Sequence, residues 1–337
     1  MKITSLIPIL AILSSACTAD GRAADTQPPA SSTACASFQL AADLPSSPAT
    51  ADIYWQRPID TSLDTTRAQV VAQSLGIVGS TSRYVGEAGG EVFVVSDGQR
   101  EISVFSDVPL TFTYSSNRQP LSGTPPSRLF STEELSMFAE NFLLEHSLLH
   151  FEYRIERAIG SYAEDNAVRV LPLMSGVPLF ENDPTNPRLW VVLDAEGHVW
   201  HLFYETLSLA TLGELPLRPA SLAWSEICIG GSQEGLLYTT YDINGRIGST
   251  RGGVAVLGEE AFAADLSAQL GEIDYVELVY YAFDLRFASA NAYPPGSPVR
   301  FVQPVWRFAG HLDNGQGFDI LTPALVEGAL ESIVPPS

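Results

Sequence analysis

Hydrophobic positions along this chain change period several times, and each change marks an element. Between residues 64 and 76 apolar residues recur at helical spacing. Ala68, Val71, Ala72 and Leu75 fall on one stripe, Asp64 stands where it can accept from the first turn, and Gly76 stops the helix. Alternation with period two follows in residues 91–95 and 100–105, split by the turn residues Ser96-Asp97-Gly98, and again in residues 110–114. The pattern predicts a helix laid on an antiparallel sheet.

A polar, proline-rich stretch, residues 115–128, leads to a second helix that opens on the capping box Ser131-Thr132-Glu133-Glu134. Its apolar face holds Leu135, Phe138, Ala139, Phe142 and Leu149. Strand signals dominate from residue 151, at 151–157, 168–174, 189–193 and 198–204. The last two are joined by the turn Asp194-Ala195-Glu196-Gly197. Further on the pattern predicts a short helix at 220–227, a strand at 235–241 and a helix near 259–270. Two long strands, 275–283 and 299–308, follow, with 317–321 pairing after the turn Asp313-Asn314-Gly315. The fold class expected is α+β, built of tandem helix-on-antiparallel-sheet units: a first over residues 51–128, and a second over 129–337 that ends in an antiparallel sheet.

The first residues read differently. Residues 1–16 carry one charge at Lys2, an apolar run from Ile3 to Leu13 and then small residues, as a secretory signal does. The run Leu13-Ser14-Ser15-Ala16-Cys17 resembles a bacterial lipobox, which makes Cys17 the expected site of lipidation. Plain secretion after Ala16 or Ala19 is the alternative. Residues 17–50 are rich in Ala, Ser, Thr, Pro and Asp and read as a disordered tether. Cys35 and Cys228 remain as candidates for a disulfide in an oxidising compartment, or for two thiols.

Charge narrows the function classes. The 337 residues hold 18 basic and 39 acidic side chains, a net charge of −21, and the sole lysine is Lys2. Such a surface repels phosphate backbones, and without a lysine past the leader the chain has neither a Schiff-base amine nor a Walker-A loop. Nucleic-acid and nucleotide binding are therefore not expected.

Candidate chemistry centres on residues 145–150, Glu145-His146-Ser147-Leu148-Leu149-His150, where two histidines four apart would share a helix face. The strand-like run that follows ends the helix near Ser147, so His150 leaves it. His146 is then expected in the last turn, facing C-terminal carbonyls. There is no HExxH, and no metal site is expected. His198 and His201, three apart on a strand, point to opposite faces. Gly230-Gly231-Ser232-Gln233-Glu234-Gly235 reads as a loop rather than a nucleophile elbow, and Glu181-Asn182-Asp183 and Asp242-Ile243-Asn244-Gly245 read as turns rather than calcium loops. Glu133 with Glu134, and Glu259 with Glu260, suit helix starts. No catalytic residue, metal or cofactor is assigned.

The order of elements resembles the PepSY-like domains of secreted bacterial proteins and the YycH and YycI extracytoplasmic regulators. The segments carrying the likeness are residues 68–76, 193–199, 275–281 and 301–308. The resemblance implies a non-enzymatic protein that binds or restrains an envelope polypeptide, a peptidase or sensor kinase, and it supplies no active-site residue. The expected protein is an exported, lipid-anchored, extracytoplasmic binding or regulatory module that recognises its partner through a strand edge or sheet face. The competing readings are a secreted hydrolase with a non-local active site and a structural envelope lipoprotein.

Overall fold

Strand-forming runs dominate the described chain, and three helices interrupt them. The computed structural model describes residues 38–56, 64–86, 90–105, 111–117, 127–158, 166–180, 188–205, 207–229, 237–241, 247–252, 270–284, 300–326 and 329. All belong to one unit, Ser32–Ser337. It begins with β1 (Phe38–Leu40) and β2 (Thr50–Gln56), then α1 (Thr65–Ser74), β3 (Ser80–Val85), β4 (Glu91–Ser96), β5 (Arg100–Phe105) and β6 (Thr111–Ser116). Next come α2 (Thr132–Glu145), β7 (Glu152–Arg157), β8 (Ala167–Met174), β9 (Val177–Phe180), β10 (Leu189–Leu193), β11 (Val199–Glu205) and β12 (Leu209–Pro216). The chain continues with α3 (Ala220–Ile229), β13 (Leu237–Tyr241), β14 (Ile247–Gly252), β15 (Gly271–Asp284), β16 (Arg300–Leu312) and β17 (Gly317–Pro323).

Both early helices start and stop as their sequences dictate. At α1 the Arg67 backbone N–H donates to Asp64 Oδ1 over 2.8 Å. At α2 the capping box closes, with Glu134 N–H donating to Ser131 Oγ and Ser131 N–H to Glu134 Oε2. The two C-termini share a Schellman motif. Gly76 N–H donates to the Gln73 carbonyl and Ile77 N–H to that of Ala72, while Ser147 donates to Leu144 and Leu148 to Leu143. This motif needs a left-handed residue, supplied by Gly76 at φ 69° and by Ser147 at φ 53°.

Under these helices lies a wholly antiparallel sheet in the order β3-β4-β5-β6-β11-β10-β8-β7. Its period-two apolar residues, among them Phe93, Ile102, Phe112, Val170, Val191 and Leu202, pack against Ala68, Ala72, Leu135, Ala139 and Leu143. Tyr204 joins this core, and its hydroxyl donates to the Leu148 carbonyl over 2.9 Å.

A second sheet is organised on the long β15–β16 ribbon. The free side of β16 takes β17 and, further along, β2; β13 and β14 extend from β17, and β12 from β2. On the outer side of β15 run β1 and β9, both parallel to it. Gly310 lets the ribbon close, because a Cβ there would lie 1.9 Å from the Glu272 carbonyl oxygen. α3 covers this sheet through Trp224, stacked on Phe308 at 6.0 Å. The hairpin from β8 to β9 then ties the two sheets into one hydrogen-bonded network of 17 strands.

This corrects the expected fold class. The protein is mostly β, one large mixed sheet, and not a series of tandem helix-on-antiparallel-sheet units. The units do not close on themselves because their edge strands find partners far away in sequence. β6 pairs β11 across the expected boundary at residue 128, and β2 pairs β12 and β16. The stretch read as tether also differs from Phe38 onward, where Phe38 and Leu40 are buried in the second core. Residues 259–269 of the helix expected near 259–270, and the leader, residues 1–16, lie outside the described residues, and Leu270, just before β15, is not helical.

Candidate functional site

A cavity of about 590 Å³ opens where β5, β6 and β11 reach the C-terminal end of α2. Tyr114, Phe138 and Phe142 form its apolar wall, and Arg100, Asn141, Glu145, His146 and His198 its polar rim. His146 is the C-cap residue of α2, with its ring 4.5 Å from that of Phe142. Its Nδ1 donates to the Ser74 carbonyl at the end of α1 over 2.8 Å. Since a carbonyl only accepts, Nδ1 carries the hydrogen, and in the neutral ring Nε2 is left as an acceptor. The expected capping histidine is therefore found, but it serves the neighbouring helix rather than its own.

Arg100 completes that junction. Its Nη2 donates to the Gly76 carbonyl at 2.7 Å and to Asp97 Oδ2 at 2.8 Å, and its Nε also reaches Asp97. Backbone N–H groups of Gln99 and Arg100, together with the Arg100 side chain, hold the Asp97 carboxyl below the usual range. Two donors from β5 and α2 thus satisfy the negative end of α1. His150 is exposed beyond α2 and does not line the cavity.

At the cavity mouth the β10–β11 turn brings Asp194, Glu196 and His198 together, with ligand-type atoms within 4.8 Å of one another. Turn chemistry occupies the central group. Asp194 Oδ1 accepts from the backbone N–H of Glu196 at 3.0 Å and of His198 at 2.8 Å. These bonds make the trio a turn closed by the Asp194 side chain.

His201 lies within β11, whereas His198 precedes that strand in the turn, and a bulge between the pairs Val192–His201 and Leu193–Val199 breaks the alternation on which their expected opposite faces rested. His201 sits between Trp190 and Trp200, at 4.8 and 5.4 Å, with Nδ1 2.9 Å from Ser115 Oγ. Burial lowers its affinity for a proton. Around it Trp190, Trp200 and Phe203 gather in a cluster of their own, while Leu202 and Tyr204 belong to the helix-backed core.

The remaining feature is the edge at β3, whose residues show no apolar alternation. β3 pairs β4 alone among the described strands. Gly86 N–H donates to the Gly90 carbonyl, and antiparallel pairs alternate, so Tyr84, Ser82 and Ser80 turn their backbone groups toward β4. Thr81, Arg83 and Val85 therefore present N–H and C=O outward. Apolar surface accompanies them: Val78 is 76%, Val85 69%, Val70 60% and Tyr84 51% exposed. The opposite edge, β7, carries Glu152, Arg154, Glu156 and Arg157 in six residues, the charged pattern that discourages strand pairing. β3 carries only Arg83, in a surface ion pair with Glu91.

Cys17 and Cys35 lie outside the described residues, so their expected lipidation and pairing do too. Cys228 is half-buried on α3 against the second core. Residues 181–183, 230–235 and 242–245 likewise lie outside. No helix among the described residues is long and apolar enough to cross a membrane. Compared with protein-family models, curated proteins and solved structures, the chain finds no match.

Proposed function

We propose that this is an exported binding protein, anchored through Cys17, that recognises an extended segment of an envelope polypeptide by adding it as a strand beside β3. One observation carries the reading: an exposed edge whose one charged side chain, Arg83, is paired with Glu91 and whose outward groups at Thr81, Arg83 and Val85 meet no further strand among the described residues, on a sheet whose other edge is guarded by charge. Main-chain hydrogen bonds supply affinity in this mode, and alternate side chains supply specificity. Here Tyr84 meets the added strand on one face and Val85 on the other. No reactive side chain is needed.

The test is selection of linear peptides against the purified chain, followed by Arg83→Pro. Proline removes an N–H that points away from β4, so the hairpin keeps its ladder while the added strand loses a hydrogen bond. Arg83→Ala controls for the exposed ion pair, which is worth at most about 1 kcal/mol. Affinity lost in the proline variant and kept in the alanine variant is the expected outcome; equal binding by all three proteins refutes strand addition.

A hydrolase is the second reading, and one arrangement favours it: His146 and Glu145 line a common cavity. Turnover of ester or peptide substrates that vanishes in His146→Ala would move the function there.

A further inference from the structure

We infer that the cavity at the end of α2 is a binding site for a short zwitterionic peptide, separate from the β3 edge. Arg100 and Glu145 line this cavity with opposite charge yet form no ion pair with each other. Arg100 spends Nε and Nη2 on Asp97 and the Gly76 carbonyl, which leaves Nη1 uncommitted. The Glu145 carboxylate and the Asn141 amide make no side-chain hydrogen bond among the described residues. His146 is locked by the Ser74 carbonyl, so its Nε2 is left over.

The chemistry of these leftovers selects the ligand. A simple anion would meet Arg100 but be repelled by Glu145 and by a chain of net charge −21. A simple cation would leave Arg100 Nη1 unused. A molecule with an ammonium at one end and a carboxylate at the other satisfies both, the carboxylate by Arg100 and the ammonium by Glu145. Asn141 matches the donor and acceptor of the peptide group between them. The rings of Phe138 and Phe142 offer an apolar side chain a wall. At about 590 Å³ the space lies within the range of small-ligand sites. A free peptide bearing both termini fits this site, whereas the β3 edge takes the interior of an extended chain, so either site can fail alone.

Titration calorimetry of the whole chain with alanyl-phenylalanine tests the inference, alongside its N-acetylated and C-amidated forms. Saturable one-to-one binding is expected, with either blocked form weaker by about tenfold or more. Glu145→Gln, at an exposed position, should weaken the free dipeptide by about tenfold and leave the N-acetylated form unchanged. Absence of saturation up to about 10 mM dipeptide, a range that covers weak millimolar sites, would overturn the inference. So would blocked peptides that bind as well as the free one, or Glu145→Gln binding like the parent.

Discussion

His146, the C-cap residue of α2, donates from Nδ1 to the carbonyl of Ser74, the last residue of α1, across 72 positions of sequence and 2.8 Å of space. The two helices of the antiparallel sheet are thereby fastened at their C-terminal ends, beside the cavity. His146→Ala is expected to lower stability by about 1 kcal/mol, the usual net worth of a side-chain to backbone hydrogen bond. The urea midpoint should fall without a change in slope.

The shared helix stop makes a paired experiment. Ser147 holds φ 53° with a side chain that disfavours it, and glycine there should raise stability by about 0.5–1 kcal/mol. Gly76→Ala should do the reverse, by about 1–2 kcal/mol. A Cβ at Gly76 would meet only Arg100 Nη1, at 3.5 Å, so the cost is that of the backbone. Thermal unfolding of the two variants reads both signs.

Arg307 bridges three strands. Its Nε donates to Asp319 Oδ1 at 2.7 Å, its Nη1 to Glu277 at 2.8 Å, and its guanidinium lies 4.8 Å from the Phe180 ring. Asp319 is buried, so Arg307→Met strands a carboxylate and should cost roughly 3–5 kcal/mol. Adding Asp319→Leu should recover much of that loss, as chemical denaturation of the double variant would show.

Acid sensitivity follows from His201. Burial depresses its folded-state value below the ordinary 6.5, so the unfolded chain binds the proton more readily. Its contribution is therefore fully present above the ordinary value and is lost as pH falls toward the depressed one. His311 works the other way, because its bond to Asp274 raises its value: that contribution is full below 6.5 and lost as pH rises through the raised value. Replacing His201 with Phe should narrow the stability difference between about pH 5 and about pH 7.5 that burial of the imidazole creates, a window set around the ordinary histidine value.

Local structure was legible in the sequence because its causes are local. Asp64, the Ser131–Glu134 box, the Asp97 turn and the Asp194 turn each act within a few residues, and α1, α2, β4, β5, β10 and β11 fall where the pattern put them. Strand partners were not legible. Nothing near Phe112 or Tyr204 says that β6 and β11 pair, and Phe38 is a lone aromatic in a Ser- and Pro-rich stretch that β15 happens to take up. β9 had a signal: Ser175 and Gly176, at φ 52° and 79°, make the two-residue turn that returns the chain from Met174 to Val177. β3 had none, because an exposed edge strand such as Ser80-Thr81-Ser82-Arg83-Tyr84-Val85 buries too little to alternate. The same exposure that hid it from a hydrophobic pattern is what fits it for a partner.

Backbone amide exchange, read residue by residue with and without a saturating selected peptide, tests strand addition most directly. Thr81, Arg83 and Val85 should gain protection on binding, while Ser82 and Tyr84, already turned toward β4, change little. Protection confined to the cavity or to the Trp190–Trp200 face, with these three amides exchanging as before, would contradict the account.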